Sequence, residues 1–121
     1  MADTFKYVRI YTGDDGLSHF EDVEVDLSDA GQASVLSPTL PVTGLNFRRQ
    51  APGYNLDFHP APRSQFIINL QGTVEIIASD GESRLFGPGS IMHADDTTGK
   101  GHISKAIGDE ERLSLFVHLP E

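Results

Sequence analysis

The sequence contains no cysteine. Disulfides, thiolate metal sites and a cysteine nucleophile are thereby excluded. Positive charge is also scarce: nine lysines and arginines stand against 18 aspartates and glutamates, a formal net charge of −9. A surface of that sign repels phosphate backbones and anionic lipid, so neither nucleic acid nor a membrane surface is an expected partner. No apolar run approaches the roughly 18 residues that read as a membrane helix, and the opening MADTFKYVRIYTG is polar without a signal-like core. The expected location is cytoplasmic. Long helical periodicity is missing as well. Short bursts of Val, Ile, Phe and Tyr remain, punctuated by twelve glycines and seven prolines over 121 residues. That composition reads as one domain, 1–121, all-β in class.

Alternation places the strands. KYVRIYTG sets Tyr7, Arg9 and Tyr11 against Val8 and Ile10, and HFEDVEVDL sets Val23, Val25 and Leu27 against Asp22, Glu24 and Asp26. The acidic row is read as a solvated face that discourages edge pairing. LSDAGQAS reads as a polar loop, and VLSPTLPVTG, with two prolines, as an irregular edge or crossover rather than a central strand. LNFRRQ and YNLDFH follow as strands, with Asp57 and His59 on one face. SQFIINLQG and TVEIIAS read as a hairpin about Gly72, with Gln65, Ile67, Asn69 and Gln71 on one face and Phe66, Ile68 and Leu70 on the other. Asp80-Gly81 is a second turn, and in the final LSLFVHL the leucines and Val117 read as core. About ten short strands indicate a sandwich or barrel.

Between Gly53 and Gly72 the spacing is specific: glycine, five residues, His59, Pro60, Ala61, three residues, Gln65, six residues, glycine. A second, looser segment opens at Gly89 and closes through Thr97-Thr98-Gly99-Lys100-Gly101-His102, with Ala106 four residues on. Together these resemble the two motifs of the cupins, with Ala61 where a second histidine is usual and Gln65 where glutamate is usual. Thr97 and Ala106 replace a proline and an asparagine, and the gap after Gly89 is two residues longer. The resemblance covers about Leu45 to Leu119. It implies a jelly-roll β-barrel (double-stranded β-helix) with its core over 45–119. Residues 1–44 would supply N-terminal strands and a loop that contact a partner in a homodimer.

The resemblance also implies a site. In the family, three histidines and a glutamate close around Fe, Mn, Ni or Zn inside the barrel; here His59, Gln65 and His102 would remain as metal ligands. An amide is a weaker ligand than a carboxylate, so Asp57 is a candidate for the missing oxygen. Without metal, His59 or His102 would act as general base with Asp57 orienting it. Both versions, a divalent ion and none, stay open. Further candidates for the cavity are His93, which shares parity with Ile91, His118, which shares a face with Ser114 and Phe116, and Tyr54, otherwise a core aromatic. Arg48 and Arg49 are adjacent on a strand, so one points inward, where an arginine suits a substrate carboxylate. Arg63 stands before Gln65 and pairs either with substrate or with Asp57, Asp95 or Asp96. The ligand is a small molecule. Three functions fit: a small metalloenzyme (oxygenase, isomerase, lyase or decarboxylase), a metal-free isomerase or cyclase, and a non-catalytic binding module.

Overall fold

The computed structural model describes residues 3–121, and among these every regular element is a strand. β1 (Thr4–Thr12) and β2 (Ser18–Asp26) pair antiparallel from Thr4↔Asp26 to Thr12↔Ser18 across the turn at Asp14-Asp15-Gly16. β3 (Ser28–Gly31) and β4 (Ser34–Leu36) make a small exposed ribbon where a loop was expected. Its turn holds Gln32 and Ala33 at φ of 54° and 57°, the left-handed region that suits a tight two-residue reversal at some cost in strain. The remaining strands are β5 (Gly44–Gln50), β6 (Asn55–His59), β7 (Gln65–Gln71), β8 (Thr73–Ala78), β9 (Ser83–Phe86), β10 (Ile91–Asp95), β11 (His102–Ile107) and β12 (Arg112–His118).

Two sheets carry the fold. One has six strands in the order β2-β1-β10-β7-β12-β5; the other has four, β6-β11-β8-β9. Among the described residues only β1 and β10 pair in parallel. β8 and β9 form the hairpin expected from Asp80-Gly81. β7 and β8 do not form one: they belong to different sheets. A single intervening residue, Gly72, is too short for a two-residue hairpin turn, and at φ +80° it turns the chain across from one sheet to the other.

The ladders of the described residues do not join the two sheets into a closed barrel. At one seam Ala51-Pro52-Gly53 takes the chain from β5 to β6 with no pairing between them. At the other, near β2 and β8, side chains stand in for a ladder. Ser18 N–H donates to Ser79 Oγ at 2.7 Å, and Ser79 N–H donates back to Ser18 Oγ at 2.8 Å. The apolar core lies between the sheets and includes Ile10, Phe20, Val74, Ile76, Phe86 and Met92. Among the described residues no helix is long and apolar enough to cross a membrane.

Alternation sorts the inner face from the outer. Gln65, Ile67 and Asn69 of β7 point between the sheets, as their parity predicted, while Phe66 and Ile68 line an outer groove. In β12 the expected parity is inverted. Arg112 and Ser114 are buried and Phe116 lines the interior, whereas Val117 joins the outer groove. The leucines misled because this end of the interior is polar, so an apolar face was not the inward one.

Candidate functional site

His59 and His102 are cross-strand neighbours at the junction of β6 and β11. Their ring centroids lie 4.7 Å apart at an interplanar angle of 55°. Gly101 permits this approach. At φ +76° it lies against the His59–Pro60 main chain, and a β-carbon there would collide with the carbonyl of His59. Only glycine combines that conformation with that clearance.

Each imidazole is anchored through Nδ1. His102 Nδ1–H donates to Asp96 Oδ2 at 2.5 Å, and His59 Nδ1–H donates to the main-chain oxygen of Asp57 at 2.7 Å. The Nε2 atoms are thus the nitrogens left to accept. Asp96 is 0% exposed, and His102 5%. The second carboxylate oxygen, Asp96 Oδ1, is buried with no hydrogen-bond partner among the described residues, which leaves the imidazole as the one side-chain contact they give this carboxylate. A desolvated carboxylate held this way makes a strong counter-charge for an imidazolium. The backbone of Asp96 is fixed in turn, because its oxygen accepts from Ala61 N–H at 2.9 Å.

The pair opens onto a cavity of about 360 Å³ between the sheets. Gln65, 3% exposed and with no side-chain hydrogen bond among the described residues, also lines it. Arg48 and Arg112 line it as well. Arg112 is tightly positioned: Nε–H donates to Asn69 Oδ1 at 3.0 Å and Nη1–H to Tyr54 Oη at 2.9 Å. Tyr54 Oη in turn lies 3.3 Å from Ser104 Oγ. The Arg48 guanidinium rests over the Phe116 ring at 5.0 Å. Burial, and secondarily the charge of Arg112, lower its pKa from the ordinary arginine value. Neither arginine has a carboxylate partner among the described residues. Gln50 and Ser114 add two further unsatisfied buried oxygens nearby, Gln50 Oε1 and Ser114 Oγ.

The structure brings together His59, His102, Gln65 and Arg48, and separates the other candidates from them. Arg49 points outward and pairs with Glu111, Nε to Oε1 at 3.0 Å. The Asp57 side chain is exposed, its Oδ1 accepting from Phe58 N–H at 2.8 Å, so its carboxylate neither orients His59 nor reaches a shared ion. The cause is a bulge. His102 and Ser104 of β11 face His59 and Leu56 of β6, so that Asp57 and Phe58 stand opposite the single residue Ile103, which turns Leu56 and His59 both inward despite their opposite parity.

His93 lies on the outer side of β10, packed on Phe66 and Tyr7 and bonded to Ser64 Oγ at 2.8 Å. Its burial lowers its pKa from the ordinary value. His118 Nε2–H donates to Asn46 Oδ1 at 2.8 Å, and Arg63 lies 3.3 Å from His118 Nδ1. Neither lines the cavity, and Arg63 pairs with none of the three aspartates proposed for it. Asp95 instead pairs with Arg9 at 2.8 Å. Tyr54 acts from behind, holding Arg112 through its hydroxyl.

Two residues escaped the sequence reading. Arg112 closes the acidic stretch DEER, which reads as a turn, although its parity with Ser114 and Phe116 marks it as inward. Asp96 was one aspartate in a polar stretch, six residues before the histidine it buttresses. No protein-family model and no curated protein sequence matches the chain.

Proposed function

We propose that this chain is a cupin-type jelly-roll enzyme that moves a proton on a small organic molecule held between its sheets. The observation that carries this reading is the buried Asp96–His102 bond with His59 beside it on the cavity wall. His102 Nε2 accepts a proton from a carbon or hydroxyl of the substrate, and the imidazolium so formed is stabilised by Asp96 at Nδ1. His59, when it enters the cycle protonated at Nε2, returns a proton at the second position, so the reaction is an isomerisation or an elimination. Gln65 supplies a neutral amide to orient a substrate oxygen. The first motif's spacing, carried here by Gly53, His59, Gln65 and Gly72, and the two facing sheets support the cupin part of the reading. The outer apolar face of the six-stranded sheet supports a homodimer, and the cysteine-free sequence suits a cytoplasmic setting.

A divalent metal is the second reading, favoured by one observation: both histidines present Nε2 with Nδ1 tied back, the arrangement used by metal-bound imidazoles. The rest of the donor set fits poorly. Gln65 is neutral, the Asp57 carboxylate points away, and two guanidiniums share the cavity. Among the described residues no three His, Asp or Glu side chains converge as a ligand set. An ion here would lack the anionic ligand that offsets its charge.

The test is proton exchange. Small keto, hydroxy and unsaturated acids are incubated with protein in D2O, and deuterium incorporation is followed by NMR. Incorporation with the parent and a fall of about 100-fold or more in His102→Ala is expected. Undiminished exchange in His102→Ala would overturn the role of this histidine. Elemental analysis of protein purified without chelator decides the second reading: near-stoichiometric metal that disappears in His59→Ala would put it first.

A further inference from the structure

Two guanidiniums line one cavity with no carboxylate partner among the described residues. We propose that Arg48 and Arg112 form a carboxylate-binding subsite, and that the substrate of the imidazole centre is a short-chain organic acid. The second half rests on the acid–base reading above; the first half does not.

The argument begins with charge. The chain carries a formal −9, and acidic residues hold three of its other arginines: Glu21 and Asp95 for Arg9, Glu82 and Asp22 for Arg84, Glu111 for Arg49, while Arg63 is exposed and meets His118. Arg48 and Arg112 are excepted in a protein with carboxylates to spare. Leaving a desolvated cation without a counter-ion is costly, so the exception marks where an anion from outside completes the structure. The two charges line the same cavity, and burial first, then the charge of Arg112, lowers the pKa of Arg48. A bound carboxylate turns that repulsion into a shared attraction.

The donors are prepared for such a guest. Arg112 uses Nε and Nη1 on Asn69 and Tyr54, which fixes the plane of the guanidinium and leaves Nη2 without a protein acceptor. Arg48 rests over the Phe116 ring at 5.0 Å, its nitrogens making no side-chain hydrogen bond among the described residues. Planar forks held by an aromatic face and by neutral acceptors match a planar carboxylate. A phosphate site would be expected to draw on helix N-termini or main-chain amide nests, and this cavity is walled by paired strands.

Position supplies the link to chemistry. Ser104, which touches Tyr54 Oη beside Arg112, is two residues along β11 from His102, roughly 7 Å on an extended strand. Arginines and imidazoles therefore occupy two ends of one short cavity. With a hydrogen bond of about 2.9 Å used at the arginine end, little length is left, and a short-chain acid brings its reacting carbon to His102 Nε2.

The experiment is an NMR titration of the 15N-labelled full chain with acetate, malonate and succinate, with succinamide as the neutral counterpart and inorganic phosphate as the competing anion. The arginine Nε–H signals of Arg48 and Arg112 are read directly. At least one carboxylate is expected to shift both signals, succinamide to leave them unmoved, and Arg48→Gln to weaken binding by about tenfold or more. Arg112→Lys, which keeps the charge but not the fork, is expected to weaken it too; its amide spectrum shows whether the fold is retained, and Arg48→Gln carries the test if it is not. No response to any of the three carboxylates, an equal response to succinamide, tighter binding of phosphate, or unchanged affinity in Arg48→Gln would each overturn the subsite. His102→Ala separates the two proposals. Carboxylate binding retained in that variant, with no deuterium exchange in the parent, would sustain the subsite while removing the acid–base reading.

Discussion

The main-chain carbonyl of His59 occupies the space that a β-carbon at Gly101 would need. Two strands of the smaller sheet are thereby allowed to meet closely enough for His59 and His102 to face one another, with Gly101 at φ +76°. The dependence of the site on this one glycine is open to measurement. Gly53 has the same φ of +76° but open space around its missing side chain. Gly53→Ala is expected to cost about 1–2 kcal/mol, from left-handed backbone alone. Gly101→Ala carries the same strain plus a collision with backbone, and is expected to lose clearly more stability in urea unfolding, together with displacement of both histidine ring signals in NMR spectra. Equal losses in the two variants would show that the approach of the strands is not limiting.

Asp96 and His102 form a unit whose energetics differ from those of an exposed pair, because both are buried and Asp96 Oδ1 has no other partner. His102→Ala leaves a desolvated carboxylate alone and is expected to destabilise by about 3–5 kcal/mol. Asp96→Ala removes the acceptor and leaves an imidazole that can stay neutral, so its cost is expected to be smaller. The double variant should then be more stable than the sum of the singles predicts, by at least about 1 kcal/mol. Additive losses across the cycle would mean that the short Asp96–His102 contact does not couple the two side chains.

Much of this arrangement is legible in the sequence, and its gaps have physical causes. Period-two alternation is enough to place the two faces of β7, because one face meets the core and the other does not. The Gly53-to-Gly72 spacing points to His59 and Gln65, and the adjacency of Arg48 and Arg49 requires one of them to face inward. Parity fails at Asp57, where the bulge in β6 adds a residue that no local pattern announces. It fails in the opposite sense in β12, where Arg112, Ser114 and Phe116 face a polar interior and apolar content pointed to the wrong face. Gly72 joins strands of different sheets rather than a hairpin, a matter of tertiary pairing that a short apolar-glycine-apolar run does not encode. Asp96 became informative only when folding brought it against His102.

His19 stands on β2, with Nδ1 2.9 Å from Asp80 Oδ2 and Nε2 3.0 Å from Asp15 Oδ2. Both ring nitrogens can donate only in the imidazolium form. The hydrogen bond to Asp15 is the main cause that raises the His19 pKa from its ordinary 6.5, and the same bond lowers that of Asp15 from 3.8. A raised histidine contributes stability fully below 6.5 and loses it as pH rises through the folded-state value; the lowered aspartate contributes above 3.8 and loses it only as pH falls through its own depressed value. The pairing is therefore strongest between those limits. The difference in melting temperature between the parent and His19→Gln is expected to be larger near pH 5.5 than near pH 8.5, values chosen at about one unit below and two above the ordinary histidine range. His93 acts with the opposite sign, since burial lowers its pKa and its contribution fades as pH falls. A His19 ring titrating at or below 6.5 by NMR would refute the assignment.

The outer face of the six-stranded sheet is too apolar to suit water. Phe5, Val35, Leu36 and Leu40 are exposed around a groove that also includes Phe66, Ile68 and Val117, and Phe47 on the edge strand β5 is 82% exposed. The homodimer proposed above places a second copy on this face, where burying such side chains returns about 25 cal/mol for each Å² removed from water. Sedimentation of the parent should then give a dimer at micromolar concentration. Leu36→Glu, or Phe47→Glu if the interface reaches the edge strand, should shift it to monomer. Because both side chains are exposed within one chain, the substitutions are expected to leave the stability of the monomer within about 0.5 kcal/mol. A parent that sediments as monomer at tens of micromolar would leave this face to be explained in another way, and a dimer indifferent to both glutamates would place the contact on a different surface.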